Sequence, residues 1–257
     1  MTNLNPEAAQ ISLGPPNPEM MEFVRQMREE LVRLTMEHQF AVDEVLTKVS
    51  ILRQEFLHLH QYNPIESVAS RVKTTSSILE KAIRRDLELT PAAIRAGLTD
   101  IAGVRITCSF IADTYRVLET LTAQSDIRVL AVKDYIAHPK PNGYRSLHAI
   151  VEIPVFLSTG EVPICVEIQI RTIAMDFWAS LEHKIYYKYE GAVPEHLAAT
   201  LTDAAQSAEQ LDRRMEQLHQ EVHGDRVGDV GGASVLAGGD EHLLQRLWEA
   251  NHGPRDS

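Results

Sequence analysis

From Met27 onward, side chains that suit a core recur at spacings of three and four: Met27, Leu31, Leu34, His38, Val42, Val45, Val49, Leu52, Phe56 and Leu59. That periodicity predicts an amphipathic helix, or two in succession. Two later runs, Gly103 to Phe110 and Val162 to Ile170, are short and rich in Val and Ile, as strands buried in a sheet are. Asp113 to Ala123, Thr172 to Glu190 and Pro194 to Val222 predict further helices, with Asp113 as an N-cap and Gly191 stopping the second of the three. Between the two strand runs, Pro139, Pro141, Asn142 and Gly143 break the segment Lys133 to His148 into a loop. Residues 1–18 carry Pro6, Pro15, Pro16 and Pro18 without a periodic pattern and predict a flexible lead. Beyond Gly224, the run of Gly228, Gly231, Gly232, Gly238 and Gly239 predicts a tail over 224–257 that lacks stable structure, with a short helix around His242 to Ala250 left open. Residues 19–223 therefore read as one α+β domain, a mixed sheet flanked by helices, with long helices at its N- and C-terminal ends.

Composition narrows the class. The chain has 257 residues, 44% of them hydrophobic, which is enough for one globular core with extensions. No stretch reaches the ~18 apolar residues of a membrane span, and the N-terminus lacks a basic start followed by an apolar core. Cys108 and Cys165 both sit in apolar strand-like runs and read as reduced, buried thiols rather than a disulfide framework. A cytoplasmic protein is expected, with no membrane or DNA partner. The formal net charge of -11 also disfavours RNA binding as the main task, because affinity for a phosphate backbone needs clustered cations.

Against that acidic balance, RVKTTSSILEKAIRR gathers Arg71, Lys73, Lys81, Arg84 and Arg85 into one stretch. On a helix Ser77, Lys81 and Arg84 share a face, and Arg71 and Lys73 stand where the helix begins, at its free backbone N–H groups. This geometry suits a chain of phosphates, although a basic run alone is more often a solvated face. Two carboxylates occupy strand-like settings, Asp100 in TDIAGVRITCSF and Glu167 in VPICVEIQIRT. A sheet that brings them together makes a plausible magnesium site, since Mg²⁺ takes one or two carboxylates plus substrate phosphates. Glu167, Gln169 and Arg171 alternate along one strand face, which could equally be the solvent side of an edge strand. The loop offers Lys133, Lys140, Arg145 and the ring of Tyr144 to a second nucleotide, and a base stacked on such a ring gains roughly 1–3 kcal/mol. Other motifs fail: HQEVH places Gln220 where a zinc signature needs Glu, and neither a P-loop nor GxGxxG is present.

Taken in order, NPIESVASRVK, DIAGVRI, KDYIAHPKPNGYRSLH and VEIQIRTIAMDFWASLEHKIYYKY resemble the synthetase domain of the RelA/SpoT superfamily, in particular its single-domain small alarmone synthetases. The resemblance covers roughly residues 40–220. It implies a nucleotidyltransferase-like synthetase fold and a pyrophosphokinase that moves the β,γ-diphosphate of ATP to the 3′-hydroxyl of GDP or GTP, making (p)ppGpp in the stringent response and releasing AMP. By resemblance, Arg71, Lys73, Ser77, Lys81 and Arg84 hold the triphosphate, and Arg71 with Arg105 sandwiches the adenine. Asp100 and Glu167 bind Mg²⁺, and Glu167 takes the acceptor proton. Tyr144 stacks on guanine, with Lys133, Lys140, Asn142, His148 and Gln169 around the GDP or GTP. The resemblance also implies a homotetramer without a hydrolase domain, and leaves open GMP as an acceptor and alarmone or single-stranded RNA as a regulator. Two other readings stay open: a nucleotide- or RNA-binding regulator with the same fold, and a pyrophosphokinase acting on adenosine nucleotides or transfer RNA.

Overall fold

A computed structural model describes residues 17–59, 62–189 and 193–223. The lead over 1–16, Gly191, the Gly-rich tail and the segment His242 to Ala250 lie outside the described residues. In chain order the elements are α1 (Pro18–Leu59), β1 (Ile65–Val72), α2 (Thr75–Arg84), α3 (Pro91–Gly97), β2 (Ala102–Cys108), α4 (Ile111–Thr122), β3 (Arg128–Asp134), β4 (Leu147–Leu157), β5 (Gly160–Thr172), α5 (Ile173–Lys188) and α6 (Glu195–His223). The expected α+β class is what forms. The five strands make one mixed sheet in the order β1-β2-β5-β4-β3, in which only β2 and β5 run parallel.

One helix of 42 residues, not two, carries the first periodic stripe. Neither Gly nor Pro interrupts the chain between Glu19 and Leu59, so nothing breaks the hydrogen-bond ladder. Its second half buries Val42, Val45, Val49, Leu52 and Phe56 on one face of the sheet, together with Val117 and Leu121 of α4. That sheet face is apolar because every second residue points into it: Ala102, Val104 and Ile106; Leu147, Ala149, Val151 and Ile153; Ile164, Val166, Ile168 and Ile170. The first half of α1 builds a smaller core from Leu31 and Leu34 with Ile78 and Ala82 of α2 and Ile94 of α3. This second core fixes α2, and with it the basic stretch, against the rest of the molecule.

Asp113 is not the N-cap of α4. Phe110 holds that position without a side-chain bond, and the Ala112 N–H donates instead to Glu216 of α6 at 3.2 Å. Asp113 lies inside the first turn, buried, and accepts a hydrogen bond from the Tyr62 hydroxyl at 2.6 Å. Burial pushes its carboxyl above the usual range. His219 of α6 stacks on Phe110 with ring centroids 4.1 Å apart. Cys108 is buried, as expected, and Cys165 is half-buried; burial pushes both thiols up.

Helix α6 ties the ends of several elements together. The Trp178 indole N–H of α5 donates to the Leu201 carbonyl at 2.8 Å, and Glu216 reaches α4. Asp212 accepts from the Thr172 hydroxyl at 2.7 Å, while that hydroxyl accepts the Met175 N–H at 3.1 Å and so caps the start of α5. Burial raises the Asp212 carboxyl to about 6. A carboxyl raised in the folded state contributes stability while protonated and loses it as pH climbs through the folded value. Asp212→Asn keeps an acceptor for Thr172 without the charge, so we expect it to stabilise the protein by about 2 kcal/mol near pH 8 and by almost nothing near pH 4. Denaturant unfolding at the two pH values measures the difference.

Candidate active site

The parallel pairing of β2 and β5 sets Gly103 opposite Glu167 and Arg105 opposite Gln169. On the antiparallel side, Arg71 of β1 faces Gly103, and a side chain at that glycine would meet Arg71 Cγ at 3.8 Å. The polar face of the sheet thereby opens into a cleft of about 480 Å³, bounded by Arg71, Arg105, Tyr144, Glu167 and Gln169, with Ser180, His183 and Lys184 of α5 along its wall. Glu167 therefore stands on the third strand of five, half-buried, and not on an edge.

A continuous chain of hydrogen bonds crosses this floor. Glu167 Oε1 lies 3.2 Å from His148 Nδ1, and Oε2 accepts from the Gln169 amide at 2.9 Å. His148 Nε2 is 2.8 Å from the Tyr144 hydroxyl, whose oxygen accepts from Arg171 Nη2 at 2.6 Å. With the Glu167 carboxylate accepting from Nδ1–H, Nε2 is assigned as the acceptor of the Tyr144 hydroxyl's hydrogen bond. Arg171 is 6% exposed. It also donates to Gln169 Oε1 at 2.8 Å and to Asp176 Oδ1 at 3.2 Å, and Asp176 binds Arg105 at 3.2 Å. The His148 hydrogen bond is the main cause that holds the Glu167 carboxyl below its usual range, against the burial that would raise it. Glu167 is thus charged in the resting site, with its charge fixed in place.

The second carboxylate sits among cations. Asp100 Oδ2 accepts from Lys73 at 3.0 Å and from Lys81, and the Lys73 ammonium also bonds the Asp100 carbonyl at 2.8 Å. Burial works to raise the Asp100 carboxyl, but the bonds from Lys81 and Lys73 outweigh it and hold it low. Its other oxygen, Oδ1, is buried with no hydrogen-bond partner among the described residues. An orphaned carboxylate oxygen beside a charged cleft suits a hard cation, and Glu167 feels the Asp100 charge from across it. No cluster of three ligating His, Cys, Asp or Glu side chains occurs among the described residues. Ser77 and Arg84 are exposed on α2, where Thr74 caps the helix by accepting the Ser77 N–H at 3.3 Å.

The loop is held, not loose. Asn142 donates to Glu182 at 3.0 Å and accepts the Tyr144 N–H at 3.1 Å, so its amide fastens the turn to α5. Lys140 lies 4.6 Å from the centroid of the Tyr144 ring and 4.8 Å from that of Tyr135, and the Arg171 guanidinium lies 5.1 Å from that of Tyr144. Lys133 is exposed on β3, directly paired with His148.

The sequence matches the description "Region found in RelA / SpoT proteins" over residues 70–192. It is 48% identical over 202 residues to the GTP pyrophosphokinase YwaC of Bacillus subtilis, covering 79% of this chain and 96% of that protein. Among solved structures it matches small alarmone synthetase 1 from Bacillus subtilis bound to its product pppGpp, with a TM-score of 0.71 and 41% identity over 76% of this chain and 98% of that one. The same synthetase bound to AMPCPP gives a TM-score of 0.66 and 36% identity over 76% of this chain and 98% of that one. The chain belongs to the RelA/SpoT superfamily, with the small alarmone synthetases.

In this RelA/SpoT chain, Arg71, Arg105, Tyr144, Glu167 and Gln169 meet in one cleft, and His148 joins it through Glu167. Lys73, Lys81 and Asp100 form a separate knot at its α2 side. Sequence reasoning missed Ser180, His183 and Lys184, whose signal was a polar stripe at helical spacing behind Asp176. Asp176, on the same helix, bridges Arg105 and Arg171. Because the His148 bond keeps Glu167 ionised, His148→Ala should move the acid limb of the pH–rate profile toward higher pH. Rates measured from acid to neutral pH check this.

Proposed function

We propose that the chain is a GTP pyrophosphokinase that makes (p)ppGpp. The observation that carries this reading is the charged Glu167, fixed by His148 and Gln169 on a floor that has two arginines on one flank and Tyr144 with its cations on the other. The printed activity of YwaC and the pppGpp and AMPCPP complexes of a relative support the same substrates.

ATP binds on the β1–α2 side, where Arg71 and Arg105 flank the adenine and Lys73, Ser77, Lys81 and Arg84 take the triphosphate. Asp100 occupies the Lys73 and Lys81 ammonium groups in the free protein, and the incoming phosphates take them over. Asp100 and Glu167 would hold Mg²⁺, which when bound neutralises charge on the phosphate oxygens. GDP or GTP enters on the loop side, where guanine lies on the Tyr144 ring and Lys140 leaves that ring for the phosphates. Lys133 and His148 line its path, and Asn142 and Gln169 hold Tyr144 and Glu167 in place. The acceptor 3′-oxygen bonds to the β-phosphorus of ATP, the bond from that phosphorus to the AMP oxygen breaks, and Glu167 takes the 3′-hydroxyl proton. Its lowered pKa makes it a weak base, so most of the acceleration comes from alignment and positive charge, as in other phosphoryl transfers.

We place the enzyme in the cytoplasm, where these nucleotides are. None of the described helices is long and apolar enough to cross a membrane. Val32, Met36 and Phe40 form an exposed stripe on α1 that suits burial in a homotetramer.

With γ-labelled ATP, Mg²⁺ and each of GMP, GDP, GTP, ADP and transfer RNA, we expect label on GDP and GTP. Glu167→Gln should lower turnover about 10²-fold or more, and Asp100→Ala should abolish the metal dependence together with activity. Label on adenosine nucleotides or transfer RNA alone, or full turnover in Glu167→Gln, would overturn the reading.

A further inference from the structure

The segment that carries Tyr144 is not shaped by its own turn alone. Gly143 has φ of +86°, and a Cβ built on it would fall 2.4 Å from the Ala205 methyl of α6. Helix and loop are in direct contact there, and only glycine fits. Two residues on, Arg145 donates through Nη1 to the Ile136 carbonyl at 2.9 Å, closing the loop on itself, and reaches Glu209 of α6 through Nη2 at 2.5 Å. Both partners of that ion pair are about four-fifths buried, with side-chain exposures of 20% and 22%. Glu209 is itself held by Arg213 one turn later, at 2.7 Å. The Tyr144 ring lies against the small apolar cluster of Trp178, Ala179 and Ala205, with Leu201 and Ala208 beside it. Helix α6 therefore touches the loop before Tyr144, at Tyr144 and after it.

From Tyr144 the contact continues to the reacting carboxylate, through the hydroxyl to His148 and from His148 to Glu167. We infer that α6 is a positioning clamp for the acceptor side of the site. In this arrangement Glu209 and Ala205 set the place of the Tyr144 ring, and through His148 the orientation of Glu167, without touching either nucleotide. The donor side is held by other means: α2 is fixed by the core shared with α1 and α3, and Arg105 by Asp176. The Arg145–Glu209 pair joins only the loop to α6, so breaking it loosens the acceptor side while α2 and its cations stay fixed by their own core. This inference rests on the acceptor assignment proposed above, and it adds residues from α6 that the sequence pattern did not single out.

The test is a double-mutant cycle on Arg145 and Glu209, read by binding and by exchange. In Glu209→Ala and in Arg145→Ala, the Kd of a fluorescent GDP analogue should rise about ten-fold, with less than about a two-fold change for the non-hydrolysable ATP analogue AMPCPP. The double variant should be no worse than either single one, because both substitutions remove the same link. Amide hydrogen exchange over residues 139–146 in the nucleotide-free protein should quicken about ten-fold in each variant. Glu209→Gln, which keeps the shape and one hydrogen bond, should restore most of both properties, and Arg145→Met, which removes the ion pair while keeping side-chain bulk, serves in place of any alanine variant that fails to fold. Equal weakening of both nucleotides, additive effects, or unchanged exchange over 139–146 would each overturn the clamp. Absence of GDP binding in the wild-type protein, with exchange still quickened in the variants, would instead overturn the acceptor assignment and leave the clamp standing.

Discussion

The parallel pairing of β2 with β5 is the constraint on which the rest of the site depends. Parallel strands are covered on both faces in most folds, and their neighbours must lie in strict register for side chains of one face to meet. Here one face of that pair is closed by α1 and α4, and the other is left partly open under α5. The register brings Gly103 beside Glu167 and Arg105 beside Gln169, so the absence of a side chain at 103 makes room where the carboxylate stands. A slip of one residue would send Glu167 and Gln169 into the apolar core and Val166 and Ile168 into the cleft.

The cost of putting charge into that half-buried place is offset by polar partners, with Asp100 Oδ1 left over. Glu167 is bonded by His148 and Gln169, Arg171 by Tyr144, Gln169 and Asp176, and Asp100 by two lysines. Such networks rigidify a site when each donor finds an acceptor. A rigid floor suits a reaction in which the protein contributes alignment and charge rather than a bond of its own. In a chain of net charge -11, Arg71, Arg105 and Arg171 still line the cleft, and Lys81 and Arg84 stand on α2.

Local pattern revealed the parts of this design that repeat at short range. Glu167, Gln169 and Arg171 share a face because strands alternate, and the stripe of α1 follows from helical spacing. The basic stretch and both carboxylates were visible as residues, but not that Lys73 and Lys81 would hold Asp100, since 27 and 19 residues separate them. The loop was legible but its anchoring was not, because its prolines and glycine speak only of its own backbone, whereas its anchors, Glu182 and Glu209, lie on helices farther along the chain. Strand β4 passed unassigned although Leu147, Ala149, Val151, Ile153 and Val155 alternate inward, and β3, exposed along most of its length, offered no buried face to read. Asp113 looked like a cap from sequence position alone, and only the fold supplies the Tyr62 hydroxyl that claims it.

The central claim is that donor and acceptor nucleotides lie together in one cleft and react in a single displacement, with no bond to the protein. The most direct test is stereochemical: ATP made chiral at its β-phosphorus, converted with GDP, and the configuration of the transferred group determined in the product. One displacement inverts the phosphorus, and the account predicts inversion. Retention would mean two displacements through a covalent enzyme intermediate and would contradict it.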